Sequence, residues 1–135
     1  MLRPGSATDA VDRIQLARIG KEAGRRALGQ YVALFSDLLD ERIERIDRVV
    51  AGKTADGVRA AFDLHVSSDM LGAKRLAAAS ADAAILLLSG EPISAARMMS
   101  LRAEAEAVGA ALPQALAAMN RPDLGAQPSF GPPNR

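Results

Sequence analysis

Between residues 28 and 50 the apolar side chains Leu28, Tyr31, Val32, Phe35, Leu38, Leu39, Ile43, Ile46, Val49 and Val50 recur at steps of three and four. That period lays one continuous apolar face along a helix of more than five turns. A helix of this kind cannot stay alone in water, so the rest of the chain must cover it. The remainder is built of the same material. Alanine, leucine and arginine are abundant and alternating β-branched runs are missing, which predicts helix over nearly all of residues 9 to 119.

Glycine and proline set the punctuation. Asp9 is the expected N-cap of a short first helix carrying Val11, Ile14, Leu16 and Ile19, with Gly20 and Gly24 marking a bend before the long helix. Gly52 is expected to close the long helix. A third helix is predicted from about Ala55 to Met70 and a fourth from about Ala73 to Leu88. Ser89-Gly90 breaks the chain, Pro92 suits the first turn of a fifth helix, and Pro113 should kink or end it. Gly72 and the alanines at 73, 77, 79, 83 and 84 allow the third and fourth helices to pack closely. The expected fold is therefore all-α: an antiparallel four-helix bundle with a short extra N-terminal helix. The expected organisation is a flexible N-terminus over 1–8, one bundle over 9–119, and a disordered tail over 120–135. That tail holds four of the seven prolines, with Phe130 as an idle apolar residue or a docking point.

Several function classes are disfavoured by composition. A chain of 135 residues supports one ordinary core. Net charge is +1 and aromatic residues are 3%, so no basic patch with stacking rings marks a nucleic-acid binder. There is no cysteine and one histidine, so no thiol nucleophile and no usual zinc site is expected, nor any other cofactor. The longest apolar run, "AAILLL" at 83–88, is far short of the ~20 residues of a membrane span, and "MLRPGSATDA" lacks a signal-peptide core. A soluble cytoplasmic protein is expected, with no membrane partner. In "DERIERIDR", Glu41 with Arg45 and Glu44 with Arg48 stand at i,i+4, each pair contributing ~0.2–0.5 kcal/mol, and this face is expected to be solvated. Met98 and Met99 are expected in or beside the core. Asp63 and Ser67 have no partner base and carry no expected chemistry.

The order of elements and the stretch "AFDLHVSSDMLGAKRL" at 61–76 resemble the histidine phosphotransfer domain of multistep phosphorelays. The family reads A-H-x-L-K-(G or S)-S-(S or A)-x-x-(L or F)-G-A-x-x-L there. Without gaps, Ala61, Leu64, Ser67, Ser68, Leu71, Gly72, Ala73 and Leu76 fall on that pattern, and Ala61, Leu64, Ser68, Leu71, Gly72 and Ala73 are implied to be helix-packing positions. The same register puts Phe62 in the place of the phosphorylated histidine, His65 in the place of a lysine, and Val66 where glycine or serine is usual. A phenyl ring has no nitrogen lone pair and cannot accept a phosphoryl group. The resemblance thus implies a phosphorelay protein that is not an enzyme and docks the receiver domain of a response regulator or hybrid histidine kinase through Phe62, His65, Val66 and Asp69, without the standard acceptor.

Three readings of His65 stay open. It lies one turn past Phe62, ~4.5 Å along the axis and ~60° around. It is the one candidate for a relocated phospho-acceptor, a docking residue in the lysine's place, or an incidental histidine. Phe62 is expected as an exposed interface anchor, with burial in the core as the competing outcome. A different class, a helical adaptor or oligomerisation module with its contact surface elsewhere, for instance over residues 40 to 48, is the alternative to phosphorelay. With no kinase-like extension the chain is expected to be free-standing. The receiver partner and the oligomeric state are not written in the sequence.

Overall fold

The computed structural model describes residues 10–49 and 54–120, and in these residues the protein is all-helical. Helix α1 spans Arg13–Ala23, α2 Arg25–Asp47, α3 Thr54–Met70, α4 Lys74–Leu88 and α5 Ala95–Asn120. The expectations for Asp9 as a cap, Gly52 as a terminator, the N-terminal arm, the tail and Phe130 fall outside the described residues. Among those described, no helix is long and apolar enough to cross a membrane.

The apolar stripe of α2 meets its expectation as far as Ile46; Val49 lies past the end of the helix at Asp47, and Val50 lies outside the described residues. Leu28, Val32, Phe35, Leu39, Ile43 and Ile46 are buried, and Tyr31 and Leu38 are half-buried at its edge. Helix α2 packs on α3, α3 on α4, α4 on α5, and α5 returns to α2, while α1 lies against α2. Leu64, Leu76, Leu101, Val108 and Leu112 from the other three helices are fully buried in the space so enclosed. Met98 is buried with them, whereas Met99 is exposed.

Helix ends depart from the sequence-based expectation in four places. Asp12 caps α1, its Oδ1 accepting from the Ile14 and Gln15 amides at 3.0 and 3.2 Å. Gly20 does not bend the chain. It lies buried inside α1, and a Cβ there would meet Met119 and Leu28. The α1–α2 break is Gly24 alone, at φ 100°. Pro92 precedes α5 rather than opening it, because the Ser94 hydroxyl takes the Arg97 amide at 3.1 Å and starts the helix one turn later. Pro113 neither ends nor interrupts α5 as a helix. It has no N–H to give, so the Gly109 carbonyl lacks its ladder partner.

Candidate docking face on the third helix

At 100° per residue, α3 divides into sectors that its neighbours account for. Ala60, Ala61, Leu64 and Ser68 are buried against the rest of the molecule. Toward α2, Arg42 Nη1 donates to Ser67 Oγ at 3.3 Å and Arg45 lies 3.5 Å from Asp56. Toward α4, His65 Nδ1 is 2.9 Å from the Ala77 carbonyl oxygen. The sector left over carries Phe62, Val66 and Met70, four residues apart, which are 58%, 45% and 53% exposed. Asp69, beside them, is exposed and pairs with Lys74 Nζ at 3.2 Å.

Every position assigned to helix packing by the sequence pattern is buried: Ala61, Leu64, Ser68, Leu71, Gly72 and Ala73. The turn they form has a definite construction. Ala73 N donates to Ser68 O at 2.8 Å and Gly72 N to Asp69 O at 3.1 Å, with Gly72 at φ 83°. This is the glycine-terminated helix end in which a left-handed residue satisfies the last carbonyls. Helix α1 then locks it. Asp12 N donates to Gly72 O at 2.8 Å, and Gln15 Nε2 donates to the Asp69 and Met70 carbonyls, both at 2.8 Å. A Cβ on Gly72 would sit 3.0 Å from Asp12 Cβ. The glycine is therefore required twice, by conformation and by approach.

Phe62 is presented to solvent and His65 is half-buried beside it, with ring centroids 6.4 Å apart. A carbonyl oxygen can only accept, so His65 Nδ1 carries the proton and the lone pair of the neutral ring lies on Nε2. Asp63 is half-buried on the α2 side of the same helix. The hydroxyl of Ser68 is buried without a hydrogen-bond partner, whereas Ser80 on α4 donates to Leu76 O at 2.8 Å.

The charged face over 40 to 48 is rearranged relative to its expected pairing. Glu41 and Arg45 approach to 3.9 Å. Glu44 turns instead to Arg102 of α5 at 3.6 Å, and Asp47 accepts from the same guanidinium at 2.7 Å. Arg102 competes for Glu44 because α5 lies across α2 there, a neighbour that i,i+4 reasoning does not include.

Sequence reasoning missed Met70, which completes the exposed stripe at the same four-residue step as Phe62 and Val66. It also missed Gln15, for which no sequence signal exists, since its role depends on where α1 lands. A third omission is an open groove of about 640 Å³ beside Phe62, lined by Val58, Arg59 and Asp63 of α3 and by Leu87 and Leu88 at the end of α4. Among the described residues no three histidine, aspartate or glutamate side chains converge as metal ligands. A scan against protein-family models and searches of curated proteins and of solved structures returned no match to this chain.

Proposed function

We propose that this protein is a phosphorelay component with a histidine-phosphotransfer-type four-helix bundle, which docks a receiver domain without carrying the standard acceptor histidine. One observation carries the reading. Of the residues that fit the family pattern all are buried except Ser67, which is half-buried, and Phe62 and Val66, which depart from it, stand on the exposed face of the third helix. A chain that keeps the packing of that helix and changes its outer face keeps a docking platform and gives up the nucleophile. Phe62, flanked by Val66, His65 and Asp69, supplies an aromatic anchor of the kind that dominates interface energetics.

A second reading is favoured by the geometry of His65. With its proton held on Nδ1 by the Ala77 carbonyl, Nε2 keeps a lone pair, the form a phospho-acceptor needs. In this version His65 receives the phosphoryl group one turn from the usual place. In-line transfer depends on positioning, and a displacement of this size demands a shifted partner.

Receiver domains from the same cell, phosphorylated with radiolabelled acetyl phosphate, separate these readings. The docking-only version expects retention of a receiver on the immobilised protein, no label on the wild-type chain, and label on Phe62→His. Retention should weaken about 30-fold or more in Phe62→Ala, the loss of one interface hot spot. Label on the wild-type chain that vanishes in His65→Ala transfers the case to the second reading. If no receiver is retained, the phosphorelay proposal fails and the adaptor class takes its place.

A further inference from the structure

Cations are not spread evenly over this chain. Residues 13 to 26 hold Arg13, Arg18, Lys21, Arg25 and Arg26, with Glu22 as the one acid among them. The whole chain carries only +1, so the remainder is net acidic. All five of these cations are exposed, and none takes part in an ion pair among the described residues. Arginines elsewhere are put to use inside the fold. Arg42, Arg45, Arg75 and Arg102 each bond or pair with a neighbouring helix.

Helix periodicity sets part of this charge on a single ridge. Helix α1 turns Leu16 and Gly20 into the molecule, with Gln15 and Ile19 half-buried beside them. At 100° per residue the opposite side carries Ile14, Arg18 and Lys21, each about a turn from the next. Ile14 is 75% exposed, more than any other large apolar side chain described. It therefore stands in water among cations, with Arg13 before it and Arg18 a turn beyond. Arg25 and Arg26 follow Gly24 at the start of α2 and add to the positive field.

The shape of the ridge limits its partner. Small-molecule sites are concave, whereas the outer side of a helix encloses nothing, so the partner is an extended anionic surface. Two such surfaces differ in what they offer Ile14. A nucleic-acid backbone contacts the cations and leaves the isoleucine in water. A bilayer of anionic lipids takes the cations among its headgroups and the apolar side chain into the boundary of the acyl region. We infer that α1 and the start of α2 form a docking surface for an anionic lipid bilayer, with Arg18, Lys21, Arg25 and Arg26 at the headgroups and Ile14 inserted between them. Attachment of this kind is peripheral and needs no spanning helix. The inference does not rest on the phosphorelay reading, and none of these residues belongs to α3.

The test is sedimentation of the full chain with sucrose-loaded vesicles at about 0.1 M salt. Vesicles of about 30% phosphatidylglycerol in phosphatidylcholine are compared with phosphatidylcholine alone. The expected result is binding to the anionic vesicles only. Arg18→Gln and Lys21→Gln should each weaken it about fivefold, and Arg25→Gln with Arg26→Gln together about 25-fold. Ile14→Ala should weaken it about tenfold. Arg97→Gln removes an exposed cation on α5 and should change binding by about twofold at most. A DNA duplex of about 20 base pairs should be bound more weakly than the anionic vesicles. The replaced side chains are exposed, and circular dichroism checks that each variant keeps its helices. Absence of binding to the anionic vesicles, Ile14→Ala binding as wild type, or equal losses in Arg97→Gln and Arg18→Gln would each overturn the docking surface. Tighter binding to the duplex would do the same.

Discussion

Gly72 and Gly90 end α3 and α4 in the same backbone conformation, at φ 83° and 77°, yet their surroundings differ. A Cβ on Gly90 meets nothing within 4 Å, whereas on Gly72 it meets Asp12 Cβ at 3.0 Å and Asp12 O at 3.1 Å. The Asp12 amide that donates to Gly72 O is tied into the same contact. Gly90→Ala should therefore cost only the left-handed penalty of about 1–2 kcal/mol. Gly72→Ala carries that penalty and a packing cost of about 1–3 kcal/mol on top. Urea unfolding of the two variants measures the difference directly, and equal losses would mean that α1 yields without resistance. The same comparison shows what the sequence could tell. That a glycine was needed between the third and fourth helices was legible, because the chain must turn there. That Asp12 occupies the space where a side chain would go was not, because it depends on contact between residues far apart in the chain.

At the scale of elements, the faces of helices were legible and their ends less so. The α2 stripe could be read from its spacing because burial of one face is a property of the helix itself. The start of α1 could not. Asp12 follows Val11, an apolar residue expected inside the helix, yet it caps α1 in the described structure while its amide donates to the α3–α4 turn. Similarly, Glu44 prefers Arg102 of α5 over Arg48 of its own helix, a choice made by packing. Pro113 gives the sharpest case. Local rules place a break there, yet α5 continues for a further turn or more, with Ala111, Leu112 and Ala115 buried around it. Tertiary burial has outweighed a local cost of ~3 kcal/mol. Removing the cost should therefore help. Pro113→Ala restores a donor for the Gly109 carbonyl and is expected to stabilise the fold by about 1–3 kcal/mol in urea unfolding. A loss of stability would show that the ring itself contributes packing beside the groove it shares with Ser36, Leu39 and Asp40.

For the whole molecule, the question is whether α1 belongs to one cooperative unit with the four helices it joins. It packs on α2 and reaches the α3–α4 turn through Asp12 and Gln15. The two Gln15 bonds are to backbone carbonyls at an exposed helix end, worth ~1 kcal/mol each. Gln15→Ala should speed hydrogen exchange at Leu16 and Ile19 about 30-fold while leaving Leu64 and Leu76 protected to the same degree. Equal acceleration in both places would make α1 inseparable from the core. The candidate site is distributed over the same hierarchy. The positions among residues 61 to 76 that the resemblance implied to be packing positions are buried, and Phe62 is at the surface as expected. The groove and its rim were not legible, since Leu87 and Leu88 come to Phe62 only through the hairpin.

The bonds from Gln15 to Asp69 and Met70 span 54 and 55 residues of chain. Their acceptors are the last carbonyls of α3, presented together only when that helix has formed and the turn at Gly72 has closed. The α3–α4 hairpin, by contrast, is joined by three residues and closes cheaply. By sequence separation the hairpin is expected to form as an early local event, and the bonds of Asp12 and Gln15 to its turn to form only after it. Where the first helix meets the turn is fixed by residues more than fifty positions further along the chain.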